Sequence, residues 1–228
     1  MSTPIIPVSC FNFMQLLAVN NNREWFTQNK EAYLTELGFV ESFVTAMLND
    51  LNTHDAIETT SAKKSLHRIY RDIRFSTDKT PFKTNWTGGF KRASKYRRGG
   101  YYYHFEPGNN FLLCGFWSPN PQDLKLVRDD IAFDLTPLRN ILDSETFVNN
   151  FGKLQGQALK TTPKGYNADH EAIELLRFKQ YLVMRRFTDE EVLGPGFFSE
   201  ASITFKHMRP FLDYMSDVLS TDLNGLRI

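Results

Sequence analysis

Cysteine is scarce: Cys10 and Cys114 are the only two in 228 residues. Two thiols cannot build a disulfide framework, and a reducing compartment, the cytoplasm, suits them. Long apolar runs are missing as well. No segment reaches the length that a bilayer-spanning helix needs, so no membrane partner is expected. The opening Met1-Ser-Thr-Pro-Ile-Ile-Pro7 has no basic region ahead of an apolar stretch, and the expectation is that it carries no secretory signal. Net charge is close to nil, at +1, so the chain as a whole draws neither nucleic acid nor membrane strongly. No P-loop and no Gly-x-Gly-x-x-Gly phosphate fingerprint occurs. His54, His67, His104, His170 and His207 are scattered without ligand spacing. Hence no metal and no cofactor is expected. No serine elbow marks a hydrolase, and Cys114, set among apolar strand residues, reads as an inert buried thiol.

What is present is an aromatic-rich chain with segregated charge. Hydrophobic residues make up 41% and aromatics 14%, enough for one sizeable core, so a single domain over 1–228 is expected. Between Lys63 and Arg98 lie twelve of the 27 basic residues but only two of the 26 acidic ones. The densest ordered charge falls in Ser65–Thr84 inside that block. Its alternation predicts a strand leading into a loop, with Arg68, Tyr70, Asp72 and Arg74 on one face. Ile69, Ile73 and Phe75 then share the other face with His67 and Arg71. Two guanidiniums at two-residue steps from one carboxylate are placed for charge-assisted bonds. In one reading this is an ion ladder that pins a sheet. In the other, Asp72 orients Arg68 and Arg74 towards an anion. Lys79 and Lys83 flank Thr80-Pro81, whose geometry favours an extended or tight turn.

Along the chain, residues 1–9 read as a tail. Phe13, Leu16 and Leu17 have helical spacing, Asn21 with Glu24 forms a capping-box pattern, and Phe39 to Leu51 is an amphipathic helix. Trp86-Thr-Gly-Gly-Phe90 reads as a tight turn, and 91–100 as a basic loop or lid. Gly100–Glu106 and Phe111–Trp117 flank Pro107-Gly-Asn-Asn110 and form a hairpin. The first of these strands places Tyr102, His104 and Glu106 on one face. Helices are predicted around Leu124–Ile131, Leu138–Leu142, Glu145–Leu154 and Ile173–Phe178, the last one capped by Asp169. Tyr181–Phe187 is a further strand, and Thr188 with Glu191 caps a short helix. A last helix runs from Phe198 to Leu219, with Pro210 expected to kink or split it. This order gives an α+β fold: a mostly antiparallel sheet of about four or more strands packed with helices.

Several of these pieces occur together in one known family. Asn21-Asn-Arg-Glu-Trp-Phe26 with Tyr33, Arg68-Ile-Tyr-Arg-Asp-Ile-Arg-Phe75 and Asp78-Lys-Thr-Pro-Phe-Lys-Thr84 are followed by Gly100-Tyr-Tyr-Tyr-His104, Gly115-Phe-Trp117 and Pro163-Lys-Gly-Tyr166. In this combination the chain resembles the domain of unknown function 2461 family, found in bacteria and some fungi. Phe82 stands where that family is expected to carry tyrosine. No activity is established for the family, so the resemblance implies one fold unit and the place of a site, and no particular reaction.

Three functional classes remain open. The first is a small anionic ligand, bearing phosphate or carboxylate, held by Arg68, Asp72, Arg74, Lys79 and Lys83 with Tyr102 and His104 from the hairpin. Lys164 and Tyr166 would close one side. His104 or Asp72 would then be the candidates for proton transfer, although a histidine bonded within the sheet is the plainer role. The second class is a nucleic-acid surface, with the block 63–98 neutralising phosphates and its aromatic residues stacking on bases. The third is a protein-interaction module using exposed aromatics. The sequence assigns no reaction and no oligomeric state.

Overall fold

The computed structural model describes residues 4–93 and 95–221. Residues 1–3 of the expected tail and position 94 of the 91–100 loop lie outside them. The fold is α+β. A four-stranded antiparallel sheet runs in the order β1 (Trp86–Lys91), β2 (Gly100–Phe105), β3 (Asn110–Phe116), β4 (Tyr181–Phe187). The helices are α1 (Val8–Val19), α2 (Arg23–Gln28), α3 (Lys30–His54), α4 (Ala62–Ser65), α5 (Pro121–Phe133), α6 (Thr136–Leu142), α7 (Glu145–Phe151), α8 (Ile173–Leu176), α9 (Asp189–Leu193) and α10 (Phe197–Ser220). None of them is long and apolar enough to cross a membrane. The chain divides into two compact units. One takes in the residues up to Phe90, with Tyr102–Leu112 and Arg186–Ile203; the other takes in Lys91–Tyr101, Leu113–Arg185 and the residues from Thr204 on.

In the first unit α1 packs on α3. Cys10, Phe11, Phe13, Met14 and Leu17 are buried on one side, Val40, Phe43, Val44, Met47 and Leu51 on the other. The expected tail is shorter than the sequence suggested: Ile6 is already buried and α1 starts at Val8. Asn22, not Asn21, caps α2, accepting from Trp25 N at 2.9 Å. Gly38 does not interrupt α3, which runs unbroken through it. Phe43 stacks on Phe197 at 5.6 Å, and Phe105 and Phe187 meet the same ring edge-on. A second aromatic chain runs from Phe13 through Tyr33 to Trp86, whose indole donates to Cys10 O at 3.2 Å.

The segment Trp86–Phe90, expected to be a tight turn, is a strand. Gly88 explains the exchange. A β-carbon there would collide with the Tyr103 hydroxyl and the Ser65 carbonyl, so glycine at this position serves close approach inside a sheet and not a bend. Along β2 the alternation holds: Tyr101, Tyr103 and Phe105 are buried, while Tyr102 and His104 on the opposite face are half-buried. Thr188 and Glu191 complete a capping box at the start of α9.

The second unit buries Cys114, Ile131, Leu138, Leu176, Tyr181, Met208, Leu212 and Met215. Asp169 caps nothing, since α8 starts at Ile173 behind Ala172. α10 stays continuous across Pro210. The proline sits on the exposed side, and Met208, Phe211 and Leu212 around it are buried; their packing outweighs the hydrogen bond that proline cannot make. The 91–100 loop is tied down at two of its arginines. Arg92, 1% exposed, donates to Leu212 O at 3.0 Å and to Ser216 Oγ at 2.9 Å, and pairs with Asp213. Arg98 pairs with Asp123.

Candidate functional site

The segment Leu66–Gly88 forms a two-legged arm and not a regular strand. His67 N donates to Thr87 O at 2.8 Å, Lys83 N to Ile69 O at 2.8 Å and Arg71 N to Pro81 O at 2.9 Å. Antiparallel bridges join Leu66 with Gly88 and Tyr70 with Phe82. Asn21 clamps the returning leg: its amide donates to Phe82 O at 3.0 Å and its carbonyl accepts from Phe82 N at 3.1 Å. Phe82 itself stacks on Phe26 at 4.1 Å. The arm is therefore anchored by its inward residues Ile69 and Phe82, both buried.

At the tip, opposite charges close on each other. Arg74 grips Asp72 with two bonds, Nε to Oδ1 at 2.9 Å and Nη2 to Oδ2 at 2.6 Å. These bonds, helped by the charge of Arg68, hold the Asp72 carboxyl below the usual carboxylate range. Lys79 Nζ donates to Ile73 O at 3.0 Å. Arg71, which sequence reasoning placed on the inward face, instead bonds Asp78 at 2.5 Å and the Thr80 hydroxyl. Asp78 is pulled down to about 2, first by the Thr80 backbone and hydroxyl and then by Arg71. Phe75 does not point into a core: it is 96% exposed. The alternation fails there because Arg74 and Phe75 form a turn, which breaks the two-residue period.

Nearer the sheet, the charges are not closed. Arg68 and Lys83 have no hydrogen-bond or ion-pair partner among the described residues. Partial burial, then the charge of Arg68, holds the Lys83 ammonium below the usual lysine value. Partial burial and Lys83 in turn depress the imidazole of His67. His67 Nδ1 lies 3.3 Å from the Thr87 hydroxyl, and its ring centroid lies 6.0 Å from that of Tyr102. Burial pushes the Tyr102 phenol up, with Thr87 opposing. Next along the face, His104 stacks on Phe111 at 4.6 Å, and its Nε2 is 2.9 Å from Glu106 Oε2. Glu106 also accepts from Thr84 and Asn109, each at 3.0 Å. Burial works to raise the Glu106 carboxyl, and the bonds from His104, Asn109 and Thr84 outweigh it, leaving it below the usual range. An ionised carboxylate only accepts, so His104 Nε2 carries the proton.

The structure thus groups Arg68, Lys83, Tyr102 and His104 in the first unit, with Asp72, Arg74 and Lys79 further out on the arm. Sequence reasoning did not single out His67, Thr84 or Thr87 for the site. The period-two pattern of β2 does place Glu106 with Tyr102 and His104. The return leg that brings Thr84 and Thr87 alongside carries no signal beyond its turn. Lys164 and Tyr166 belong to the second unit, where they line a cavity with Lys125, Arg128 and Asp129. Among the described residues no cluster of His, Cys, Asp or Glu is arranged to hold a metal ion.

The family described as "Conserved hypothetical protein (DUF2461)" matches residues 9–214. That span is most of the chain, and the chain belongs to this family. Comparison with curated proteins and with solved structures returned no match.

Proposed function

We propose that this family member binds a small anionic ligand, bearing phosphate or carboxylate, at the base of the Leu66–Gly88 arm. The observation that carries the reading is the pair Arg68 and Lys83 on the two legs of the arm: neither has a hydrogen-bond or ion-pair partner among the described residues, and the charge of Arg68 acts on Lys83. An anion would relieve that repulsion and take charge-assisted bonds from both. Tyr102 stands on the neighbouring sheet face as a hydroxyl donor, and His104, whose Nε2 proton is engaged by Glu106, offers ring surface there. Arg74 and Lys79, each with part of its donors engaged at the tip, are the outer edge of this site, and Asp72 fixes Arg74. The reading names a binding site and assigns no reaction. A reducing compartment such as the cytoplasm suits the two buried free thiols, Cys10 and Cys114.

Calorimetric titration with inorganic phosphate, pyrophosphate and citrate tests it. Replacing Arg68 or Lys83 by alanine should weaken binding by about tenfold or more, since a hydrogen bond to a charged group contributes roughly 1.5–3 kcal/mol. Equal affinity in wild type and both variants would remove the proposal.

One observation favours a second reading, a nucleic-acid surface. Phe75 is 96% exposed at the end of a basic arm, and the Arg74 guanidinium lies 5.9 Å from its ring centroid. An exposed ring beside cations can stack on a base while the cations meet phosphates. Here binding of a short single strand should fall steeply with salt, and Phe75→Ala should weaken it, whereas Phe75→Ala should leave phosphate binding at Arg68 and Lys83 untouched.

A further inference from the structure

The second unit holds a cavity of about 290 Å³ at the start of α5, walled by Lys125, Arg128 and Asp129 on one side and by Lys164, Gly165 and Tyr166 on the other. Its charges do not cancel. Lys125 Nζ bonds Asp129 Oδ2 at 2.5 Å, and the Tyr166 hydroxyl donates to Asp129 Oδ1 at 2.8 Å. The one carboxylate in the wall is therefore already engaged at both oxygens. Arg128 uses Nη2 on Phe178 O at 2.9 Å, but its Nε is shut off from water and has no hydrogen-bond partner. Lys164 has no partner among the described residues. The Arg128 Nε is enclosed and out of a ligand's reach, so Arg128 lends the wall its charge and not this donor.

The loop that carries Lys164 is shaped to leave room. Tyr166 N donates to Pro163 O at 3.3 Å, closing a turn. Gly165 sits in that turn at φ 95°, and a β-carbon there would meet nothing within 4 Å. The backbone conformation requires glycine, and the wall beside it stays open.

We propose that this cavity is a second anion site, one that takes inorganic phosphate or a small phosphate monoester. Lys164 is its cationic donor, Arg128 adds positive charge to its wall, and Lys125 holds Asp129 out of the ligand's way. The volume lies at the small end of ligand pockets, which fits a phosphate with a short organic remainder and excludes a nucleotide. The site shares no residue with the one at the base of the arm, so the two stand or fall separately.

The test is calorimetric titration of the full chain with inorganic phosphate, using wild type and the variants Lys164→Ala, Lys125→Ala and Lys83→Ala. The expected result is two classes of site in wild type. Lys164→Ala should weaken one class by tenfold or more and leave the class that responds to Lys83→Ala intact. Lys125→Ala should weaken the same class as Lys164→Ala, because Asp129 then faces the ligand uncompensated. Thermal unfolding of Lys164→Ala without phosphate should match wild type, which separates lost binding from lost fold. A single class abolished by Lys83→Ala and indifferent to Lys164→Ala would overturn this site and leave the first standing. A single class that responds to Lys164→Ala and not to Lys83→Ala would do the reverse.

Discussion

His104 and Glu106, two positions apart along one sheet face, are joined by a 2.9 Å bond whose proton sits on the imidazole. The same carboxylate gathers Thr84 from the arm and Asn109 from the β2–β3 turn. It is the polar knot between the hairpin and the returning leg of the arm. Glu106→Gln keeps the shape and removes the charge, and should cost roughly 1–2 kcal/mol at neutral pH. The sign with pH follows from the depressed carboxyl. Its contribution is present above the ordinary glutamate value and is lost as pH falls through the folded one. Urea unfolding of both proteins at neutral and acid pH should therefore show the difference shrinking in acid.

His67 gives a second handle. Its imidazole is depressed by partial burial first and by Lys83 second. Below the ordinary histidine value the unfolded chain takes up a proton that the folded chain resists, so this residue's share of stability is lost as pH falls through the folded value. Lys83→Gln should raise the His67 midpoint only part of the way, because the burial remains. Saturating phosphate, if it binds at Arg68 and Lys83, should raise that midpoint in wild type. Both are read from imidazole shifts in an NMR titration.

Arg92 is the most buried charge among the described residues, at 1% exposure. Its guanidinium serves a carboxylate, a hydroxyl and a carbonyl at once. Arg92→Met should destabilise the protein by about 3 kcal/mol, within the range for breaking a buried ion pair. Arg92→Lys should not restore it, since a single ammonium cannot reproduce the planar fork. Chemical denaturation of the two variants against wild type is the measurement.

Gly88→Ala should cost about 1–3 kcal/mol through overpacking. In a Tyr103→Phe background the added cost should be only partly reduced, since the hydroxyl is gone while the ring Cζ and the Ser65 carbonyl still crowd the added carbon. A double-mutant cycle on thermal unfolding separates the two contributions.

How much of this was readable beforehand depends on the residue. The hairpin, β4, the Phe39–Leu51 part of α3, the apolar face of α10 and the Thr188–Glu191 box follow from period, caps and turn residues, which are local physics; that α10 runs on through Pro210 does not. The segment 65–84 reads as a strand leading into a loop, and its far end departs from that. Alternation assumes a strand continued by pairing, and this leg pairs at Leu66 and Tyr70 before it turns at Arg74. Trp86–Phe90 was misread in the opposite sense, because two adjacent glycines look like a turn until the Tyr103 hydroxyl is seen lying over Gly88. Asn21 shows the same limit. Its spacing to Glu24 suggests a cap, while its actual partner, Phe82, is 61 positions away. Of the cationic residues, Arg68 and Lys83 could be named from charge density alone. That Arg74 and Lys79 are satisfied locally depends on the turn and was not legible.

The arm also sets where the chain is vulnerable. Beyond the Arg71–Pro81 backbone bond the two legs are joined by side chains alone, Lys79 on the Ile73 carbonyl and Arg71 on Asp78 and Thr80, and Phe75 stands almost wholly in solvent at the far end. A protease that selects aromatic residues needs a free, pliable stretch about its target. Chymotrypsin should cut after Phe75 while the many buried phenylalanines stay intact. Both resulting fragments would remain held together by Asn21, Phe26 and Phe82.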